Sequence, residues 1–259
     1  MHKKPEQDII LFLHGFMGCA EDWTEVIRYL ENDYICLTPD LPGHGGNRRE
    51  HWPEGFFFPH WASEIATLLK NNHVQTCHFV GYSMGGRLAL FFALKNPGSV
   101  RSLVLESAAP GIEEPAQRAA RLDQDMALAE RILSRPWAET LDAWYDLPVF
   151  AGIKDGPAYK SLLNRRLSND PDQMAAVLRG TSPGLQPSLW EELPDLKMPV
   201  LTLAGERDEK YVQISRMMKK YKPDLKTNVI ADAGHNIHFE HPRLFADAVR
   251  QFLVAQTEE

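Results

Sequence analysis

The segment Val80–Arg87 constrains the fold more than any other stretch of the chain. It reads Val-Gly-Tyr-Ser-Met-Gly-Gly-Arg and follows an apolar run that begins at Cys77. This pattern predicts a strand that ends in a tight turn and continues at once as a helix, with Ser83 at the turn. Gly81 and Gly85 leave room where side chains would collide with the neighbouring backbone. Such a turn holds the Ser83 hydroxyl clear of the sheet, at a helix N-terminus that favours negative charge.

A second segment argues against an ordinary glycine-rich loop, which two glycines and a serine could form by chance. Residues 9–13 are a short continuous apolar run, typical of a strand that is buried on both faces. The loop that follows, residues 14–18, is placed to donate the backbone N–H of Phe16. Together with the N–H of Met84, just past the serine, this donor would form a two-donor oxyanion hole.

Two further residues complete a catalytic pattern. Asp208 and His235 each come shortly after a buried apolar run. The chain order Ser83, Asp208, His235 is that of the triad in α/β-hydrolase-fold enzymes, with each residue past the C-terminal end of a strand. We therefore expect Ser83 to act as nucleophile or base, His235 to take its proton and Asp208 to hold the imidazole. Asp232 is the alternative carboxylate partner for His235.

The alternation of elements predicts an α/β protein with a doubly wound, mostly parallel sheet of about six or seven strands. We expect strands at 9–13, 34–38, 76–81, 101–106, 199–204 and 226–231, and helices near 21–31, 61–71, 84–95, 210–221 and 242–255. Residues 110–196 lack β-branched runs and are rich in Ala, Leu, Arg and Asp, which predicts four or five helices. The chain thus divides into an α/β-hydrolase core, 1–109 and 197–259, and a helical cap, 110–196, inserted after the strand at 101–106. A cap of this kind would exclude water and shape a pocket.

Composition excludes several other classes of protein. The chain has 259 residues, of which 44% are hydrophobic, so one large core is expected, and no apolar run is long enough to span a membrane. The apolar run at 9–13 is also too short for a signal peptide. Three cysteines, Cys19, Cys36 and Cys77, lack metal-ligand spacing, which predicts reduced thiols and a cytoplasmic location. The basic stretch around Lys220 is more typical of a solvated helix face than of a nucleic-acid site.

Arginines indicate the charge of the ligand. Arg87 lies four positions after Ser83, one turn along the predicted helix and on the same side of it. A cation beside this turn is hard to place without a partner, so it predicts an anionic substrate. The net charge of −7 gives no general attraction for anions, and specific guanidinium contacts would be needed. A cap arginine can equally belong to a solvated helix face. The cap candidates are Arg118, Arg121, Arg165 and Arg166.

Five segments together resemble one family, the 2-succinyl-6-hydroxy-2,4-cyclohexadiene-1-carboxylate synthases of menaquinone biosynthesis. They are Leu-Pro-Gly-His-Gly-Gly at 41–46, Gly-Tyr-Ser-Met-Gly-Gly-Arg at 81–87, Gln-Arg-Ala-Ala-Arg at 117–121, Trp-Tyr with Pro-Val-Phe at 144–150, and Gly-Glu-Arg-Asp at 205–208. The similarity runs over essentially the whole chain. The turn and the Gly-Glu-Arg-Asp segment are shared with many hydrolases, whereas the cap segments are far more specific.

This resemblance implies a lyase in place of a hydrolase. The family's substrate, 2-succinyl-5-enolpyruvyl-6-hydroxy-3-cyclohexene-1-carboxylate, carries three carboxylates and loses pyruvate after a proton is removed next to its ketone. The triad would take that proton, and the oxyanion hole would hold the resulting enolate. The family's carboxylate-binding positions match Arg87, Arg121 and Arg166, with Arg165 adjoining the last, and Tyr82 and Trp144 would wall the pocket.

Other interpretations stay open. A carboxylesterase or acyl-CoA thioesterase of the same fold would share every triad residue, and a non-catalytic ligand-binding relative is a third alternative. His235 and His238 have a spacing that occurs in metal sites, but no carboxylate cluster accompanies them, so we expect neither a metal nor a cofactor. His44 is interpreted as a structural loop residue. The expected partner is a small anionic tricarboxylate, with no nucleic acid and no membrane, and the expected state is a monomer or weak oligomer.

Overall fold

One parallel sheet forms the centre of the protein. The computed structural model describes residues 7–154 and 156–256. Its strands are β1 (Asp8–Leu13), β2 (Tyr34–Leu37), β3 (Cys77–Tyr82), β4 (Val100–Glu106), β5 (Val200–Gly205) and β6 (Lys226–Ile230). Neighbouring strands pair in parallel in the order β2-β1-β3-β4-β5-β6. The predicted doubly wound α/β fold is confirmed, with six strands that are all parallel, and each strand boundary lies within one residue of its predicted position.

The helices divide into those that flank the sheet and those inserted between β4 and β5. The flanking helices are α1 (Thr24–Leu30), α2 (Phe58–Asn71), α3 (Met84–Lys95), α9 (Glu209–Tyr221), α10 (Ile237–Glu240) and α11 (Pro242–Ala255). The inserted helices are α4 (Pro115–Ser134), α5 (Trp137–Tyr145), α6 (Ala151–Lys154), α7 (Tyr159–Leu167) and α8 (Pro171–Thr181). Among the residues described, the insertion therefore has five helices, within the predicted range of four or five. Among all the residues that the structure describes, no helix is both long and apolar enough to cross a membrane.

Two predicted helices begin at different residues. The helix predicted near 61–71 begins at Phe58, because Pro59 fits the first turn of a helix, where its missing N–H is not needed. The segment predicted as 21–31 begins with a 3₁₀ turn, Ala20–Trp23, before α1. The short helix α10 was not predicted, since four residues are too few to show a helical period.

The four central strands, β1, β3, β4 and β5, are largely buried on both faces. Along β1, Leu11 and Leu13 pack into the cluster that contains residues of α2 and α3. The alternate residues, Ile10 and Phe12, pack into the cluster that contains residues of α1 and α11. Because successive strand residues point to opposite faces, a strand covered on both sides must be apolar throughout. The continuous apolar runs of the sequence have this cause.

The turn between β3 and α3 brings neighbouring backbones into close contact. Ser83 has φ 49° and ψ −109°, outside the favoured regions for a residue with a side chain. A Cβ on Gly85 would lie 2.2 Å from the Leu13 carbonyl oxygen, and one on Gly81 would lie 2.6 Å from the Gly86 Cα. Only glycine permits these approaches, so the strained Ser83 conformation is imposed by backbone contacts on both sides.

A buried ion pair connects the inserted helices to the core. Asp22, 5% exposed, accepts hydrogen bonds from Nη1 and Nη2 of Arg166 at 3.0 and 2.6 Å and from Arg165 Nε at 3.0 Å. Arg166 Nε also donates to the Tyr145 hydroxyl at 3.1 Å. Burial alone would raise the pKa of Asp22, but the charges of Arg166 and Arg165 hold that pKa well below its usual value. The two arginines lie on α7, so this pair fixes α7 against the loop that follows β1.

We expect Gly85→Ala to lower the free energy of unfolding by at least about 2 kcal/mol, because the added methyl meets the fixed carbonyls of Leu13 and His14. Urea denaturation followed by circular dichroism measures this change. Gly98→Ala is the control, since a Cβ there meets no atom within 4 Å and should change stability by no more than about 0.5 kcal/mol. Equal effects at both positions would contradict the close-approach argument.

We expect Asp22→Asn to destabilise the protein by about 3 kcal/mol at pH 7, because it leaves the buried Arg166 charge unpaired. Since the folded-state pKa of Asp22 is depressed, the wild type loses this advantage as the pH falls below about 4. Melting temperatures of the two proteins should therefore converge between pH 5 and the acid limit of folding. Asp123→Asn, an exposed change on α4, controls for the general loss of one negative charge. A difference that stays constant with pH would refute the role of the Asp22 carboxylate.

Candidate active site

A pocket of about 890 Å³ lies between the C-terminal ends of the strands and the inserted helices. Core residues and residues of the insertion both line it. All ten residues that the sequence singled out for the site are among them: Phe16, Tyr82, Ser83, Met84, Arg87, Arg121, Trp144, Arg166, Asp208 and His235. Arg118 and Arg165, the adjoining arginines of the cap, do not line this pocket. The fold thus brings together residues from seven separate parts of the chain.

Ser83, His235 and Asp208 form a chain of side-chain contacts. His235 Nδ1 lies 2.6 Å from Asp208 Oδ2, and His235 Nε2 lies 3.4 Å from Ser83 Oγ. A carboxylate can only accept, so Nδ1 carries the proton and Nε2 is the acceptor that faces Ser83. Asp232, the alternative carboxylate, is exposed and has φ 54°, and it contacts other residues through its backbone carbonyl. The geometry therefore pairs His235 with Asp208.

The loop that carries Phe16 is held against the loop at residues 41–44 by two histidines. His14 Nε2 accepts from the Leu41 backbone N–H at 3.0 Å, and His44 Nε2 accepts from the Met17 N–H at 3.2 Å. Burial lowers the pKa of both rings, which keeps them neutral and able to accept. His44 thus supports a loop, in line with its interpretation as a structural residue. The corresponding hydrogen bond of His14 was not predicted. Met84, the first residue of α3, has a backbone N–H without an intrahelical partner.

Arg87 is a buried cation with neutral partners. Its side chain is 9% exposed, Nη1 donates to Gln186 Oε1 at 2.7 Å, and Nη2 donates to the Thr181 carbonyl at 2.7 Å. The guanidinium carbon lies 5.2 Å from the centre of the Phe58 ring. Burial, and then the nearby charge of Arg121, lower the pKa of Arg87 below its usual value. In the described part of the chain, Arg87 has no Asp or Glu ion-pair partner, so its charge is available to a ligand.

Arg121 and Arg166 are arranged differently. Arg121 Nε lies 2.9 Å from both carboxylate oxygens of Asp125, and this side chain is 36% exposed. Asp125 in turn accepts from the Ser182 hydroxyl at 2.7 Å. The sequence predicts a carboxylate of the ligand beside Arg166, but both of its terminal nitrogens already donate to Asp22. Its charge is therefore largely offset within the protein.

Aromatic residues form the remaining wall. The Tyr82 ring lies 5.4 Å from the His235 ring, and the Trp144 ring lies 5.7 Å from the Phe16 ring, measured between centroids. Phe150 contacts both Trp144 and His235. The predicted wall residues thus also pack against other residues of the site, Trp144 against Phe16 and Tyr82 against His235.

Three groups at or behind the pocket were missed in the sequence. Glu106, fully buried at the end of β4, accepts from the backbone N–H and Nδ1 of His238, at 3.1 and 2.7 Å. A charged residue that ends an apolar strand was the available signal. The two histidines with metal-like spacing thus contact different carboxylates, His238 that of Glu106 and His235 that of Asp208. Lys210 lines the pocket beside Asp208, and Gln186 supports Arg87 from behind; neither residue belongs to a pattern that reveals this.

Comparison with known proteins identifies the family. The model of the alpha/beta hydrolase fold family matches residues 8–242. The 2-succinyl-6-hydroxy-2,4-cyclohexadiene-1-carboxylate synthase of Serratia proteamaculans is 33% identical over 95% of this chain and 92% of its own length. The protein of the same name from Pectobacterium atrosepticum is 33% identical, over 96% of this chain and 95% of its own. The solved structure of MenH from S. aureus superposes with a TM-score of 0.91 at 33% identity, covering 97% of this chain and 96% of that chain. With this overall likeness and the site geometry above, the chain belongs to the 2-succinyl-6-hydroxy-2,4-cyclohexadiene-1-carboxylate synthase family of α/β-hydrolase-fold proteins.

Proposed function

We propose that this protein is a lyase that eliminates pyruvate from 2-succinyl-5-enolpyruvyl-6-hydroxy-3-cyclohexene-1-carboxylate to give 2-succinyl-6-hydroxy-2,4-cyclohexadiene-1-carboxylate. Family membership supports the reaction. The observation in this chain that carries it is Arg87, a buried cation with only neutral partners, one helical turn from Ser83. Such a charge suits a substrate with carboxylates and gives no advantage to a neutral ester.

The triad takes the proton next to the succinyl ketone. Ser83 Oγ accepts that proton while His235 Nε2 takes the hydroxyl proton, and Asp208 stabilises the imidazolium that forms. The electrons of the broken C–H bond form the enolate and then move through the ring alkene, which breaks the bond to the enolpyruvyl oxygen. The departing enolate of pyruvate takes up one proton, which His235 can return. No water is consumed and no acyl-enzyme forms.

The backbone N–H groups of Phe16 and Met84 stabilise the enolate oxygen. An enolate presents nearly the same negative charge to these donors as the tetrahedral oxyanion of a hydrolase. The N-terminus of α3 adds a favourable dipole at the same place. The site therefore needs no new charge-stabilising group for the elimination.

The three carboxylates of the substrate would contact Arg87, Arg121 and Arg166. Arg87 brings an uncompensated charge and Arg121 brings a charge shared with Asp125. Arg166 has five N–H groups, of which three are engaged by Asp22 and Tyr145, so two remain for a ligand. We expect Arg166 to orient the substrate through hydrogen bonds and to attract its negative charge less strongly than Arg87 does. Tyr82 and Trp144 wall the pocket around the ring.

We further propose that residues 110–196 act as a cap on a core of residues 1–109 and 197–259. The insertion supplies Arg121, Trp144 and Arg166 to the pocket and so encloses the substrate on the side opposite the triad. Enclosure strengthens the charge contacts because it removes water from around them. We also propose a cytoplasmic location, which the three unpaired cysteines support, and a monomer or weak oligomer that binds no nucleic acid and uses no cofactor.

We expect Ser83→Ala to lower kcat by about 10³-fold or more, because the proton acceptor is lost. Pyruvate released from the enolpyruvyl substrate is measured with a lactate dehydrogenase coupled assay. The melting temperature should not fall, since the change removes one hydroxyl at a strained position. Ser63→Ala, on the exposed face of α2, is the control and should retain normal activity. A Ser83→Ala protein of near-normal rate would remove Ser83 from the mechanism.

We expect Arg87→Ala and Arg121→Ala each to lower kcat/KM by roughly 30- to several-thousand-fold, the effect of about 2–5 kcal/mol for a lost charge-assisted contact. Arg87→Lys should recover only part of this, because an ammonium cannot reproduce the planar fork. Arg118→Ala, one turn before Arg121 on the same helix and outside the pocket, is the matched control.

Cleavage of p-nitrophenyl acetate by the same variants separates the lyase from an esterase. This neutral ester should react slowly with the wild type and respond little to the arginine changes. Robust ester turnover, with a Ser83 acyl-enzyme detected by mass spectrometry and no pyruvate from the enolpyruvyl compound, would overturn the lyase proposal in favour of a hydrolase.

A further inference from the structure

The segment that follows α8 supports the two arginines on the pocket's charged side. The Thr181 carbonyl and the Gln186 side chain accept from Arg87, and the Ser182 hydroxyl donates to Asp125, the partner of Arg121. Ser182 and Gln186 are fully buried, so these contacts are shielded from water. The segment 181–186 thus sets the position and the partners of both guanidinium groups.

The hydrogen-bond acceptors of the three pocket arginines differ in charge. Arg166, which fixes the insertion to the core, is paired with the carboxylate of Asp22. Arg121 is paired with the carboxylate of Asp125. Arg87, one helical turn after Ser83, has an amide oxygen and a backbone carbonyl as its acceptors. Both of its partners orient the guanidinium without cancelling its charge.

We infer that Gln186 is a positioning residue that holds Arg87 as an uncompensated cation for a substrate carboxylate. This inference rests on the proposed function and assigns Gln186, which does not itself line the pocket, a part in substrate specificity. A neutral acceptor at this position fixes the orientation of the Arg87 guanidinium group, and its positive charge stays available to the ligand.

Burying the side-chain amide of Gln186 costs free energy of folding, which argues that an uncharged acceptor matters at this position. Because Oε1 faces Arg87, the Nε2 group is turned away, and it is buried with no hydrogen-bond partner within the described residues. It lies against Gly111, where an added Cβ would come within 3.3 Å of it. A carboxylate of the same shape would bind Arg87 more strongly and leave no donor unpaired. Stability alone would therefore favour Glu over Gln at this position.

Two substitutions separate a charge role from a purely structural one. Gln186→Glu keeps the shape and the acceptor but neutralises Arg87, whereas Gln186→Met removes the acceptor and leaves the Arg87 charge uncompensated. We expect Gln186→Glu to lower kcat/KM by roughly ten- to a few hundredfold, mainly through a higher KM, with an unchanged or higher melting temperature. Gln186→Met should be less stable than Gln186→Glu but more active. Gln251→Glu, an exposed change on α11, controls for the added negative charge.

The order of the variants decides the matter. Activity that falls from wild type to Gln186→Met to Gln186→Glu supports the inference. A Gln186→Glu protein that is at least as active as Gln186→Met, or one that fails to fold, overturns it. The inference expects the carboxylate to fit at this position and to lower the activity of the protein.

Calorimetric titration with succinate distinguishes failure of this inference from failure of the lyase proposal. If the wild type releases no pyruvate, the lyase proposal fails, and the role of Gln186 is then judged from succinate alone. Weaker succinate binding to Gln186→Glu than to the wild type and to Gln186→Met supports that role. Equal binding, or no binding to the wild type, overturns it.

Discussion

The contact between two backbones at the turn after β3 determines most of the site. Gly85 lies so close to the Leu13 and His14 carbonyls that no side chain could stand between them. This contact places the start of α3 beside the loop that carries Phe16, so the two N–H donors and Ser83 are fixed by one constraint. The energetic cost is the unfavourable conformation of Ser83, which the packing of β1 and β3 on both sides sustains. The position of Ser83 therefore depends on backbone contacts inside the core.

The buried charges of the pocket differ in role: one ion pair stabilises the fold, and one cation is left to bind a ligand. A buried ion is tolerated when its partner is close and its remaining hydrogen bonds are satisfied. Asp22 gives Arg166 this compensation, and the resulting pair ties the insertion to the core. Arg87 is hydrogen bonded but not compensated, so part of the cost of burying its charge is recovered only when an anion arrives. Such an arrangement gives up stability in the free protein and gains selectivity for acidic ligands.

The sequence predicted the elements well where the signal is local. The six strands and the Ser83 turn depend on apolar runs and glycines within a few residues, and they lie where expected. The ten expected site residues share one pocket. Seven belong to the core, where motif order implies which strand ends meet, and Arg121, Trp144 and Arg166 lie on inserted helices and were expected from the family resemblance. The partners of the arginines could not be predicted, since Asp22 and Gln186 are separated from them by roughly a hundred residues or more. The neighbouring sequence also does not distinguish the role of Arg165 from that of Arg166. Both side chains reach Asp22, and only Arg166 also lines the pocket.

The need for water depends on which chemistry the triad performs. A serine hydrolase must admit water to its acyl-enzyme in every turnover. The proposed elimination needs no second reactant: in that mechanism the proton that His235 receives returns to the leaving pyruvate enolate, and water would only weaken the contacts to three carboxylates. In this protein the insertion is tied to the loop after β1 by the Asp22 pair and by Asn169, which donates to the Met17 carbonyl at 2.8 Å. The Asn169 contact ends at the residue next to Phe16, so the insertion also supports the loop that carries the proposed enolate-stabilising donor.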